Sequence, residues 1–83
     1  MRVPRYSPTA EKSLKKLDSK TRTRLEEAVL ELLRDPLAGK KLKGDFGKER
    51  LRSYRVWPYR IVYRFDPHFL DIVFVEHRKD VYR

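Results

Sequence analysis

Apolar residues recur at helical spacing through the first third of the chain. One short stripe has members four and three residues apart, namely Ala10, Leu14 and Leu17. A longer helix is predicted by a second stripe, formed by Leu25, Ala28, Val29, Leu32 and Leu33. Ser7-Pro8 and Asp18-Ser19 supply capping residues at the two starts, and Asp35-Pro36 ends the second helix because a residue before proline avoids the helical region. The pattern predicts a tightly connected, antiparallel helical hairpin.

From about residue 50 onward the period changes, and β-branched and aromatic residues alternate with polar ones as they do in half-buried strands. Strands are predicted near residues 50–56, 59–66 and 69–77, with room for a short first strand at residues 2–6. Pro58 and Asp66-Pro67 mark the turns. We therefore expect one domain over residues 1–83 with an α/β fold of the α+β type. Its N-terminal helical hairpin should pack on a small, mainly antiparallel sheet of about four strands.

The last two strands can be aligned by placing a two-residue loop between Asp66 and Phe69. One face is then wholly apolar, pairing Phe65 with Leu70, Tyr63 with Ile72 and Ile61 with Phe74. The other face pairs Arg64 with Asp71, Val62 with Val73 and Arg60 with Val75. His77 then lies diagonally across from Arg60, at roughly 7–8 Å and away from the helices. The preceding strand has two open registers, since it can present either Arg55 or the pair Arg50 and Arg52 beside Arg60.

Positive charge is concentrated in the middle of the chain. The 83 residues include 21 Lys plus Arg against 12 Asp plus Glu, a formal net charge of +9. Residues 40–64 hold nine basic and two acidic side chains, and 9 − 2 gives +7 of that total. This local excess favours a polyanionic partner. Tyr54, Trp57 and Tyr59 lie among the basic residues, a composition suited to phosphate contacts and base stacking; the basic residues are Lys40, Lys41, Lys43, Lys48, Arg50, Arg52, Arg55 and Arg60.

Several classes of protein have no support in the sequence. Cysteine is absent and two histidines are too few for a histidine-rich cluster, so neither a disulfide nor a metal site is expected. The longest apolar runs, such as residues 72–75, are too short to cross a bilayer, and the N-terminus lacks the apolar region of a signal peptide. Motifs for ATP, dinucleotide, zinc-protease and hydrolase chemistry are missing, so no cofactor is expected. A cytoplasmic protein without a membrane partner is compatible with these features.

The remaining polar residues fit metal-free cleavage of RNA, in which the 2′-hydroxyl is the nucleophile. Arg60 can neutralise phosphate charge, His77 can act as an acid or a base, and Tyr82 can stack on a base or orient a phosphate. Each residue also has a purely structural interpretation. Arg60 can form an ion pair with Asp71 or Glu76, His77 can be an ordinary surface residue, and Tyr82 can anchor the C-terminus against the sheet. Clustered Asp and Glu are too few for a two-metal mechanism.

Three segments follow one another along the chain: Lys41-Leu42-Lys43-Gly44, then Ser53-Tyr54-Arg55-Val56 leading into Tyr59-Arg60-Ile61-Val62-Tyr63, and finally His77-Arg78-Lys79-Asp80-Val81-Tyr82. In this order and spacing they resemble the RelE/ParE superfamily of toxins from type II toxin-antitoxin systems, and its RelE branch in particular. The resemblance covers nearly the whole chain. It implies a small α/β toxin that enters the ribosomal A site, cleaves mRNA there without metal, and is held inactive by a cognate antitoxin.

The resemblance also implies roles for individual residues. Arg60 would stabilise the scissile phosphate, Tyr82 would orient the substrate, and His77 or Arg78 would serve the leaving group. The implied catalytic residues are Arg55, Arg60, His77 and Tyr82, and the implied RNA-binding residues are Lys41, Lys43, Arg50, Arg52 and Arg78. In the family that this chain resembles, some RelE toxins use lysines on the strand that corresponds to residues 50–56, one of them as the base. This chain has Ser53 between arginines there, and arginine stays protonated, so the general base is left open.

Two other functions remain open on the same fold. One is a ParE-like toxin that inhibits DNA gyrase and cleaves nothing, and the other is a catalytically inactive nucleic-acid-binding module. The basic strand near residues 50–56 and the ending from His77 to Tyr82 favour the nuclease, because a gyrase inhibitor has no need of these basic and titratable residues. A cognate antitoxin segment is expected on the helical hairpin or on an exposed strand edge.

Overall fold

The structure is a computed structural model that describes residues 1–44 and 49–81. Within these residues the chain forms eight elements: β1 (Val3–Tyr6), α1 (Pro8–Lys15), α2 (Ser19–Arg34), β2 (Lys40–Lys41), β3 (Arg52–Val56), β4 (Tyr59–Phe65), β5 (Phe69–His77) and the single turn α3 (Arg78–Val81). The predicted α+β class is confirmed, with one strand more than expected because β2 is only two residues long and carries no alternating pattern. None of the helices in this part of the chain has the length and apolarity needed to cross a membrane.

Both long helices begin where the capping residues predict. The Ser7 hydroxyl accepts a hydrogen bond from the Ala10 amide at 3.0 Å, and Pro8 follows as the first helical residue. Asp18 caps α2 by accepting from the Thr21 amide at 2.9 Å. A hydrogen bond from the Thr21 side chain, which has the larger effect, and the bond from the Thr21 amide hold the pKa of Asp18 below its usual range. The α2 helix ends at Arg34, before Asp35-Pro36, as expected.

The hydrophobic core lies between the two helices and one face of the sheet. The predicted stripe of α2 is buried in full, from Leu25 to Leu33. It packs with Ala10 of α1 and with sheet residues that are at most 1% exposed, namely Ile61, Tyr63, Leu70 and Ile72. The helices therefore cover one face. We call the opposite side of the sheet, which carries Arg55, Arg60 and Arg64, the open face.

The sheet has the strand order β1-β5-β4-β3-β2. The β1 strand pairs in parallel with β5, and the other neighbours are antiparallel. The sheet is thus mixed but mainly antiparallel, as predicted, with β1 and the short β2 at its edges. The basic segment around residue 40 is brought beside β3 at one of these edges.

The β4–β5 hairpin keeps the predicted register only near its loop. Asp66 closes the loop by accepting from the amides of Phe69 and His68 at 2.7 and 2.8 Å, and these two bonds lower its pKa, the Phe69 bond most. The predicted pairs of Phe65 with Leu70, Arg64 with Asp71 and Tyr63 with Ile72 are confirmed.

Beyond Tyr63 the predicted register is wrong by one residue. A bulge shifts the pairing, so Ile61 lies opposite Val75 and not Phe74, Val62 lies opposite Phe74, and Arg60 lies opposite Glu76. The extra residue in β5 is Val73, whose carbonyl accepts a hydrogen bond from the Ser7 hydroxyl. The N-cap of α1 therefore also binds the bulge, and the bulge reverses the faces of all later β5 side chains.

Candidate nucleic-acid interface

The arginines of β3 and β4 meet on the open face. Of the two registers left open by the sequence, the structure has the one that pairs Arg55 with Arg60 and Tyr54 with Ile61. Directly opposed residues share a face, so Tyr54 lies on the helix side with the core residue Ile61 and both arginines lie on the open face. Like charges directly opposite each other repel. An anion bound between them would relieve that repulsion.

A groove of about 580 Å³ adjoins this arginine pair. Its lining, all within the described chain, contains four cationic side chains and no acidic one: Ala38, Lys40, Lys41, Leu42, Ser53, Tyr54, Arg55 and Arg60. We call it the basic groove. Lys40 joins it from the edge strand, where it lies opposite Ser53. Such a row of cations on an open surface is suited to the phosphates of a nucleic acid.

Arg60 forms no ion pair with Asp71 or Glu76, the two carboxylates that the sequence offers as its partners. It lies opposite Glu76, but no ion pair of 4.0 Å or less joins these two described residues. Asp71 is paired with other residues: its carboxylate contacts Arg5 at 2.7 Å and Arg64 at 4.0 Å. Among the described residues, no carboxylate forms an ion pair with the Arg60 guanidinium, which lines the basic groove.

The loop that carries Lys40 and Lys41 is fixed by a buried tyrosine. Tyr63, fully buried, donates from its hydroxyl to the Pro36 carbonyl at 2.7 Å and accepts from the Gly39 amide at 3.0 Å. Burial raises the pKa of Tyr63. A Cβ at Gly39 would lie 2.5 Å from the Tyr63 hydroxyl, so only glycine fits there. Arg52 completes the clamp by donating to the Gly39 carbonyl at 3.0 and 3.2 Å.

His77 does not share the open face with Arg60, and the prediction that it does is wrong. Because of the bulge, His77 lies opposite Tyr59 on the helix side, where the two rings meet edge to face with centroids 5.0 Å apart. Its Nδ1 accepts from the Lys79 amide at 3.1 Å, so the neutral ring carries its proton on Nε2. Arg60 and His77 nevertheless stand at the same end of the sheet, as the second residue of β4 and the last of β5.

The other predicted site residues are spread around the basic groove. Lys41 lines it, and Lys43 is exposed in the following loop. Arg50 has a left-handed backbone, with φ of 60°, and lines a neighbouring depression of about 400 Å³ with Lys41 and Arg52. Arg78 begins α3 with its guanidinium over the Trp57 ring, 5.0 Å from the centroid. The predicted residues Tyr82 and Lys48 lie outside the described residues.

Comparison with known proteins identifies the family. The model of the family described as "ParE toxin of type II toxin-antitoxin system, parDE" matches residues 5–82. The chain belongs to this family. Its structure also matches a chain of the RelBE2 toxin-antitoxin complex from Mycobacterium tuberculosis, with a TM-score of 0.82 and 31% identity over 93% of this chain and 98% of that one. It is therefore a RelE-like toxin of the RelE/ParE superfamily, as the sequence motifs predict.

Two further solved structures share the fold of this toxin. The RelB-RelE antitoxin-toxin complex of Methanococcus jannaschii matches with a TM-score of 0.70 and 25% identity over 93% of each chain. The RelBE toxin-antitoxin complex of E. coli matches with a TM-score of 0.75 and 24% identity over 93% of this chain and 96% of that one. A comparison with curated proteins gives no significant match.

A second charge cluster lies on the open face, at the end away from Arg60, and the sequence predicts only two of its three members. The predicted Arg64 and Asp71 pairing is present, but Arg5 of β1 supplies the shorter contacts, at 2.7 and 3.1 Å. The hydrogen bond to Asp71 raises the pKa of Arg5 above its usual value. The Arg5 guanidinium also lies 3.6 Å from the Phe69 ring centroid. This end of the toxin is partly neutralised, so positive charge on the open face is concentrated at the basic groove.

Proposed function

We propose that this toxin cleaves mRNA on the ribosome and thereby inhibits translation. The observation that carries the proposal is the basic groove, in which Arg55 and Arg60 stand side by side with no carboxylate partner among the described residues. A phosphodiester carries one negative charge and gains a second as the 2′-oxygen attacks, so two adjacent cations can neutralise it. Action on ribosomes would place the toxin in the cytoplasm.

In the proposed reaction the 2′-oxygen attacks the neighbouring phosphorus and the bond from phosphorus to the 5′-oxygen breaks. The products are a 2′,3′-cyclic phosphate and a 5′-hydroxyl end. Arg60, supported by Arg55, neutralises the charge that develops on the non-bridging oxygens. The nucleophile belongs to the RNA and the arginines supply positive charge, so the reaction as proposed requires no metal ion. The proton of the 2′-hydroxyl passes to solvent or to a ribosomal group.

His77 is proposed to protonate the leaving 5′-oxygen from Nε2 in its imidazolium form, in which Nδ1 also carries a proton and no longer accepts from the Lys79 amide. It lies on the other face from Arg60, but both are at the same end of the sheet. An RNA strand that crosses this end can contact both residues. Lys41, Lys43, Arg50 and Arg78 are proposed to bind the flanking phosphates, whereas Arg52 is proposed to act mainly through the Gly39 clamp.

A cognate antitoxin is the proposed protein partner. The support comes from the relatives, several of which were solved as toxin-antitoxin complexes. An antitoxin segment that places carboxylates in the basic groove would neutralise Arg55 and Arg60 and exclude RNA. The short β2 and the parallel β1 both end the sheet and offer edges for a partner strand.

The test is an in vitro cleavage assay with purified toxin, mRNA and programmed ribosomes, in which the product ends are mapped. The proposal predicts cleavage only with ribosomes, 5′-hydroxyl products, and no cleavage at a codon whose scissile nucleotide carries a 2′-O-methyl group. Products with a 5′-phosphate, or cleavage of the 2′-O-methyl substrate, would contradict the proposed chemistry. Intact mRNA in every reaction would contradict the nuclease function itself.

Inhibition of DNA gyrase is the second candidate, and the match to the ParE toxin family favours it. A supercoiling assay with purified gyrase distinguishes the two functions. Under the nuclease proposal, gyrase activity is unchanged at toxin concentrations that stop translation. Loss of supercoiling with intact mRNA would replace the nuclease by the gyrase inhibitor.

A further inference from the structure

The β3–β4 turn presents an exposed aromatic ring on a fixed backbone. Trp57 occupies this turn and keeps 53% of its surface exposed. Arg24 of α2 donates to the Trp57 carbonyl at 2.9 Å, and the Arg78 amide donates to the Pro58 carbonyl at 2.8 Å. The turn is thus held by α2 on one side and α3 on the other. A ring presented in this way loses little freedom when a ligand binds.

The surroundings of the ring are cationic. Arg78 places its guanidinium 5.0 Å from the Trp57 ring centroid, and Arg24 is bound to the same residue's carbonyl. Arg55, in the basic groove, precedes Trp57 by two residues, or about 7 Å along an extended strand. The other large apolar residues that the described chain exposes lie outside β3, β4 and the turn between them: Met1, Val3, Leu30 and Leu37. Two arginines, Arg78 and Arg24, thus contact Trp57, and a third, Arg55, lies two residues away along β3.

We propose that Trp57 and Arg78 form a stacking site for one nucleobase of the RNA strand whose phosphates lie in the basic groove. Both an indole ring and a guanidinium plane stack on nucleobases, and the neighbouring cations attract the phosphates on either side of the stacked base. Arg24, Arg55 and Arg78 near the ring favour a polyanionic strand over an apolar protein segment as its occupant. The inference deepens the proposed function and rests on it for the identity of the ligand as RNA.

The proposal can be tested directly because Trp57 is the single tryptophan of the chain. Its fluorescence is followed while a single-stranded oligoribonucleotide is added, and the anisotropy of a labelled oligonucleotide reports binding independently. An abasic oligonucleotide of the same length keeps the phosphates and removes the bases. N-acetyltryptophanamide corrects for absorption by the RNA. Stacking predicts that the base-containing strand quenches Trp57 and that the bound abasic strand does not.

Two substitutions of Trp57 distinguish stacking on an aromatic ring from contact with any large apolar side chain. Trp57→Leu should weaken oligonucleotide binding by about 5- to 150-fold, the range for loss of one stacked base, whereas Trp57→Phe should keep most of the affinity. Leu30→Ala removes another exposed apolar side chain, on α2, and should leave binding unchanged. Circular dichroism and thermal unfolding check that each variant is folded.

The outcomes distinguish this inference from the proposed function. If RNA binds with no change in Trp57 fluorescence, or if the abasic strand quenches equally, the stacking site is overturned while RNA binding stands. If neither strand binds, the stacking site is overturned as well. The ribosomal cleavage assay then decides on the nuclease independently.

Discussion

Replacing Tyr63 by phenylalanine removes the hydroxyl that joins the core to the loop before β2. The substitution leaves the ring in place, so the effect isolates two hydrogen bonds, at 2.7 Å to the Pro36 carbonyl and 3.0 Å from the Gly39 amide. Gly39 is buried, so its amide loses its partner without gaining water, which costs about 1–3 kcal/mol. The Pro36 carbonyl is half-buried and can be hydrated. We expect the free energy of unfolding to fall by about 2 kcal/mol.

For a domain of this size such a loss corresponds to a fall in Tm of roughly 8–16 °C. Urea unfolding and calorimetry measure both quantities. Tyr54→Phe is the matched control, because the Tyr54 hydroxyl has no hydrogen-bond partner among the described residues, and it should change stability by less than about 0.5 kcal/mol. Equal stability of the two variants would refute the conclusion that Tyr63 clamps the loop of the basic groove.

Three further predictions concern the bulge, acid stability and charge. Ser7→Ala removes both the α1 cap and the bond to the Val73 carbonyl and should lower stability by about 1–2 kcal/mol in urea unfolding, whereas Ser7→Thr should not. The pKa of Asp66 is depressed in the folded protein, so its stabilising contribution is present above about pH 4 and is lost as pH falls through the folded pKa. The urea midpoint should therefore fall with pH in this range, and Asp66→Asn should make that dependence weaker. Arg55→Ala should reduce the slope of log affinity for single-stranded RNA against log salt by about 0.7, and an unchanged slope would contradict a phosphate contact.

The helices and the hairpin loop were predictable because local chemistry determines them. Ser7, Asp18 and Asp66 each bind backbone groups within three residues, and such contacts depend on neighbouring sequence alone. The α2 stripe likewise follows from its helical period. The β2 strand was not predictable, since its two exposed lysines pair with β3 only because Tyr63 and Arg52 hold the preceding loop.

The error in the site has one physical origin. Residues 72–75 are all apolar, so the β5 sequence has no alternation that could reveal an extra residue at Val73. The bulge is held there by Ser7, which is 66 residues away. It turns His77 away from Arg60 and brings Glu76 opposite Arg60 instead. By contrast, the Arg55 and Arg60 pair follows the simple alternation of β3 and β4, and one of the two open registers contained it.

The central claim is that Arg60 acts on the phosphate of bound mRNA, and it can be tested against a matched arginine of the same strand. Arg60→Ala and Arg64→Ala remove the same charge from the same face, but Arg60 lines the basic groove and Arg64 lies next to Asp71. In single-turnover cleavage on programmed ribosomes, the account predicts a loss of about 100-fold or more for Arg60→Ala and a far smaller change for Arg64→Ala. Equal losses in the two variants would show that Arg60 contributes no more to cleavage than another surface charge, and would contradict the account.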